Sequence, residues 1–134
     1  MLICTDLGGG NGLGPFSGGQ FAYLVKCTIE GLARGCVPCA AQWRLPPLFR
    51  SGIRFQPQPT YGKGLENFRL PFDVYQRRQG DCDQLVIYRL WELYVHGVQA
   101  ICRAEWIGDR VHVLVRLPNG QLEDPSLILG ATTR

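Results

Sequence analysis

The sequence is short of several things that would narrow its class at once. Its 134 residues hold a single methionine, Met1, and two histidines, His96 and His112, so few side chains can act as a base near neutral pH. Neither sign of charge dominates: 14 Lys and Arg against 11 Asp and Glu leave +3, too slight an excess to imply a nucleic-acid or membrane-surface partner. No apolar run approaches the roughly 20 residues needed to span a bilayer. The start, Met1-Leu2-Ile3-Cys4-Thr5-Asp6, has neither the basic flank nor the apolar length of a secretion signal, so the chain is expected to stay on the side of the membrane where it is made. In that setting Cys4, Cys27, Cys36, Cys39, Cys82 and Cys102 are expected as free thiols, metal ligands or a nucleophile rather than as disulfides. The length suits one hydrophobic core and is too short for two.

What the sequence does have is glycine, concentrated near the start. Leu7 to Gly19 is too glycine-rich to hold regular structure by propensity and reads, with the residues before it, as an N-terminal arm over 1–19. The arm is expected to add little to the core, and its glycines miss the spacing of a dinucleotide-binding loop. From Phe21 to Arg34 the apolar Phe21, Leu24, Val25, Ile29 and Leu32 recur at helical spacing opposite Lys26, Glu30 and Arg34, with Gly35 as a stop. A proline-punctuated stretch to Pro59 reads as loop, with one short strand at Gly52–Gln56. Pro71 opens a short helix over Phe72–Arg78. A longer helix over Cys82–His96 divides by angle. Cys82, Val86, Ile87, Leu90, Trp91, Leu93 and Tyr94 fall on one half, with Asp81, Gln84, Arg89, Glu92 and His96 on the other, before Gly97 closes it. A hairpin follows, Val98–Ile107 and Arg110–Leu117 around Gly108-Asp109, then a turn at Pro118-Asn119-Gly120 and the Asp124-Pro125 step. The expected class is α+β, helices first and then a short antiparallel sheet packed on a central helix that carries Cys82.

A thiol at a helix N-terminus is stabilised as thiolate by backbone N–H groups and the helix dipole, which makes Cys82 the candidate nucleophile against its alternative as a small buried hydrophobe. His112, in a valine-rich strand, is an awkward core residue without a polar partner; paired with Cys82 it would complete a thiolate–imidazolium couple. Two carboxylates compete to orient its ring. A two-residue turn at Gly108-Asp109 sets Glu105 directly opposite His112. A two-residue turn at Asn119-Gly120 would put Asp124 across from Val115, about 10 Å along the strand from His112, so that a bulge or bend would have to bring it back.

Three blocks, in order, resemble transglutaminase-like cysteine hydrolases, in particular small members encoded by tailed bacteriophages. These are Gly80-Asp81-Cys82-Asp83-Gln84-Leu85 opening a helix, Val111-His112-Val113-Leu114-Val115 on a strand, and Gly120-Gln121-Leu122-Glu123-Asp124-Pro125-Ser126 after a turn. The likeness extends to Pro46–Gly52, the segment around Glu66 and the close at Leu127–Gly130. It implies a papain/transglutaminase-like domain over 20–134, with Cys82 as nucleophile, His112 as base and Asp124 as orienting carboxylate. Neither a cofactor nor a metal is implied. Peptide or protein amides are the implied substrates, reached through an acyl-thioenzyme, in the host cytoplasm during infection or in the virion. The family's upstream oxyanion donor has two candidates here, Gln79 and Gln76. Two other readings stand beside this one. Cys36-Val37-Pro38-Cys39, with Cys27 and Cys4 or Cys102, could form a tetrahedral zinc site. Alternatively, the chain could be a non-enzymatic capsid, neck or tail component held to other virion proteins through its arm.

Overall fold

The computed structural model describes residues 2–6, 18–57, 65–108 and 110–131. Strand β1, Leu2–Asp6, is followed by helix α1, Gly18–Gly35. A 3-10 turn at Val37–Cys39, the short helix α2 (Ala40–Trp43) and a second 3-10 turn at Leu48–Arg50 lead to strand β2, Arg54–Phe55. Then come β3 (Leu65–Arg69), α3 (Pro71–Arg77), β4 (Gln79–Gly80) and the central helix α4, Cys82–Val95. The chain closes with β5 (Ile101–Ile107), β6 (Arg110–Arg116), β7 (Leu122–Glu123) and α5, Pro125–Ile128. The class is α+β, as expected. Among the described residues no helix is long and apolar enough to cross a membrane.

Helix α1 forms where the periodicity placed it, with Phe21, Val25 and Ile29 buried together with Ala22 and Ala33. It begins at Gly18, so the helix reaches into the stretch expected to be irregular; 7–17, the rest of that stretch, lie outside the described residues. Leu2–Asp6 pairs antiparallel with β3, from Leu2 opposite Arg69 to Asp6 opposite Leu65. The start of the arm is therefore a strand, and so is Leu65–Arg69, which carries no strong alternation. Each supplies hydrogen-bonding partners to the other, which a scan of local patterns does not register.

Helix α4 departs from its expected two-sided character. Every residue from Asp83 to Leu93 except Arg89 is buried, including Gln84 and Glu92 on the half read as polar. Gln84 and Glu92 are covered by other chain rather than by water, while His96 on the same half is exposed. Glu92 Oε1 accepts the Leu48 N–H (3.0 Å), Tyr88 donates its hydroxyl to the Pro46 carbonyl (2.7 Å), and Trp91 Nε1 donates to the Cys36 carbonyl (2.9 Å). Polar side chains at this depth are tolerated because they satisfy backbone groups of an irregular segment. The helix ends in a Schellman arrangement at Gly97 (φ +78°), with the Val98 N–H bonded to the Leu93 carbonyl and the Gly97 N–H to that of Tyr94.

The antiparallel sheet runs β5-β6-β7, its first strand starting at Ile101 rather than at Val98. Helix α1 packs on β5, and α4 packs on both α1 and β6. Glu30, expected on the outer side of α1, accepts the Cys102 N–H at 2.8 Å and holds the start of β5. Along β6 the residues Val111, Val113 and Val115 join the main core cluster. By alternation His112 and Leu114 point to the other face, where both are buried.

Candidate functional site

Cys82 is the first residue of α4, and the turn it opens is closely specified. Arg78 ends α3 in the left-handed region (φ 57°), its guanidinium donating back to the Tyr75 carbonyl and lying over the Tyr75 ring. β4 follows at once and pairs in parallel with β2, Arg54 beside Gln79 and Phe55 beside Gly80. A Cβ on Gly80 would lie 3.3 Å from side-chain atoms of Val74, Gln84 and Leu85, so any larger residue before the helix cap would require those side chains to shift. Asp81 then caps α4 through a capping box: its carboxylate accepts the Gln84 N–H (3.0 Å) while Gln84 Oε1 accepts the Asp81 N–H (3.3 Å). β2 also joins this end of α4 to the chain terminus, since the Phe55 N–H bonds the Leu129 carbonyl just after α5.

His112 and Asp124 are brought into contact, with Nε2 3.2 Å from Oδ2 and both side chains buried. The register explains how. The Leu117 N–H bonds the Gln121 carbonyl, the Gly120 N–H bonds the Leu117 carbonyl, and Gly120 has φ +88°. The connection is thus a three-residue loop rather than the two-residue turn expected from Asn119-Gly120. Val115 pairs with Glu123 and Arg116 with Leu122. A slip of one residue moves a side chain to the opposite face of a sheet. The extra loop residue therefore brings Asp124 to the face of His112, as a diagonal neighbour within reach of a ring.

Asp124 is also the N-cap of α5, with Pro125 in its first turn. Its Oδ1 accepts the Ser126 hydroxyl (2.8 Å) and the Leu127 N–H (3.2 Å), and Oδ2 faces the imidazole. Burial alone would push this carboxyl up, but the Ser126 hydroxyl, the Leu127 N–H and His112 together outweigh burial and hold it below the usual carboxylate range. An ionised carboxylate only accepts hydrogen bonds. Nε2 of His112 is accordingly the donor of this contact, and whenever the ring is neutral its other nitrogen, Nδ1, carries the lone pair a base requires. Glu105 does stand opposite His112 in the β5–β6 register, yet its carboxylate pairs with Arg103 at 2.8 Å.

The Cys82 sulfur is half-buried and donates to Asp83 Oδ1 at 3.7 Å. Asp83 is 1% exposed, and sequence reasoning did not single it out; an acidic residue in the first turn of a helix reads simply as a favourable dipole partner. Ser126 was likewise missed as a ligand of Asp124. Gln79 and Gln76, the two candidates for oxyanion donor, are both exposed, on β4 and α3. Cys27, Cys36, Cys39, Cys82 and Cys102 are all free thiols. Burial, and then the proximity of Cys39, push the Cys36 thiol up. Burial, reinforced by Asp83 and Glu30, does the same to Cys102. Among the described residues no group of three or more Cys, His, Asp or Glu could hold a metal ion. Comparison with protein-family models, curated proteins and solved structures returns no match to this chain.

Proposed function

We propose that this chain is a cysteine hydrolase of transglutaminase-like type, in a papain/transglutaminase-like arrangement, acting on a peptide or protein amide through Cys82, His112 and Asp124. The observation that carries the reading is the buried His112–Asp124 pair. It leaves Nδ1 as the basic nitrogen in a chain that also sets a cysteine on the first turn of its central helix. In the proposed reaction the Cys82 thiol gives its proton to His112 Nδ1 and the thiolate attacks the amide carbonyl carbon. The C–N bond breaks as the imidazolium returns that proton to the leaving amine. Water, deprotonated by His112, then attacks the acyl carbon of the thioenzyme; the C–S bond breaks, the acid leaves, and the imidazolium returns its proton to the Cys82 thiolate. Asp124 holds the ring and stabilises the imidazolium. The resemblance to phage-encoded members makes phage virion proteins and host envelope or cytoplasmic proteins the substrates to try, with cleavage read by mass spectrometry.

The test of the nucleophile is selective alkylation. At pH about 6, where an ordinary thiol of pKa about 8.5 is almost wholly protonated, iodoacetamide should label Cys82 faster than the exposed Cys27. His112→Ala should abolish the preference. Equal labelling of Cys82 and Cys27 in the native chain would mean that Cys82 is a structural residue.

A further inference from the structure

We infer that Arg89 and Glu123 form a positioning clamp that sets Asp124 against His112, coupling the helix that carries Cys82 to the strand end that carries the orienting carboxylate. The inference rests on the cysteine-hydrolase reading and adds two residues to it. Arg89 lies two turns along α4 from Cys82, and Glu123 is the residue immediately before Asp124. The contact is side-on and bidentate: Nε to Oε1 at 2.8 Å and Nη2 to Oε2 at 3.0 Å. A planar fork matched in this way fixes direction as well as distance. The guanidinium is held from its other sides too, with Nη1 3.4 Å from Glu92 Oε1 and the group lying 4.9 Å over the Phe49 ring. Glu92 is itself anchored by the Leu48 N–H.

β7 contains only Leu122 and Glu123, and a two-residue strand at a sheet edge has few hydrogen bonds with which to hold its own position. Asp124 must nevertheless be placed to within a few tenths of an ångström for Oδ2 to meet Nε2 at 3.2 Å. The Arg89–Glu123 pair supplies that restraint from α4. Both side chains are about one-sixth exposed, 17% and 16%, so the pair is less screened by solvent than a surface ion pair. A role in stability alone would leave the chemistry of Cys82 unchanged once the chain is folded; a positioning role would not.

The experiment is a double-mutant comparison read by the pH profile of Cys82 alkylation with iodoacetamide, on full-length chain shown to be folded at the assay temperature. Glu123→Gln should slow labelling at pH about 6 by about tenfold or more and move the profile toward that of an ordinary thiol. Arg89→Lys, which keeps the charge but loses the fork, should do the same and serves if Glu123→Gln does not fold. In an Asp124→Asn background neither substitution should slow labelling further, because the clamp acts through Asp124. If Asp124→Asn alone lowers reactivity while Glu123→Gln and Arg89→Lys leave the profile in place, or add to Asp124→Asn independently, the clamp is overturned and the triad stands. If Asp124→Asn leaves the profile unchanged, the triad reading itself fails and the clamp falls with it.

Discussion

Asp124 carries three tasks on two oxygens: it caps α5, accepts the Ser126 hydroxyl and faces His112. Asparagine caps a helix about as well as aspartate, so Asp124→Asn should keep the fold while lowering Cys82 alkylation by orders of magnitude. Glu105→Gln should leave it near the native rate, since that carboxylate is engaged with Arg103. Equal effects of the two substitutions would remove Asp124 from the orienting role. Because the Asp124 carboxyl is held below its usual value, its contribution to stability is full above the unfolded value of about 3.9 and is lost as pH falls through the lower folded value. Urea denaturation between pH about 2 and 6 should therefore show a flatter acid limb for Asp124→Asn than for the native chain. Ser126→Ala removes one buried hydrogen bond to this carboxylate and should cost about 1–2 kcal/mol in the same measurement at neutral pH, with a steeper limb ruling out this account.

Among the elements, α1 was legible in the sequence because it buries one repeating side and exposes the other, as in Phe21, Val25 and Ile29 against the exposed Tyr23, Cys27 and Gly31, and the β5–β6 hairpin because the Gly108-Asp109 pair separates two strand-like runs, although both faces of β6 prove buried. Helix α4 was located correctly, but the burial of Gln84 and Glu92 on its polar half could not be read. The partners of Glu92 and Arg89 lie 44 and 34 residues away, and no local period encodes them. The entry to α4 makes a separate expectation. Gly80→Ala puts a methyl 3.3 Å from three side-chain atoms and should destabilise the chain by about 1–2 kcal/mol through overpacking. Gly31→Ala is the control: it lies in the interior of α1 with nothing within 4 Å of its added Cβ, and should stabilise by about 0.5–1 kcal/mol. Urea midpoints that move in the same direction for both would mean that the Gly80 approach is looser than the distances imply.

For the molecule as a whole, the arm is where sequence and structure part. Composition alone makes it an appendage, yet Leu2–Asp6 pairs along the full length of β3, whose Phe68 is wholly buried. Deleting 1–6 should leave β3 with an unpaired edge. A loss of about 1–2 kcal/mol would lower Tm by roughly 3–10 °C for a domain of this size, measurable by calorimetry. An unchanged Tm would return the arm to the role that its composition suggests.

The α+β class, the cysteine at the head of the central helix, and the choice of His112 over His96 all follow from residue types and periods within single elements, which is the range over which a sequence states its own physics. The Asp124 contact was different. It turned on one extra residue in the loop after Leu117, which flips the face on which the carboxylate emerges, and turn residues by themselves are compatible with either register. The buried contact of Glu92 with Leu48, the pairing of β1 with β3, and the Arg89–Glu123 clamp were decided only by tertiary structure. Each joins groups far apart in the chain, and only folding brings the donor of one segment to the acceptor of another.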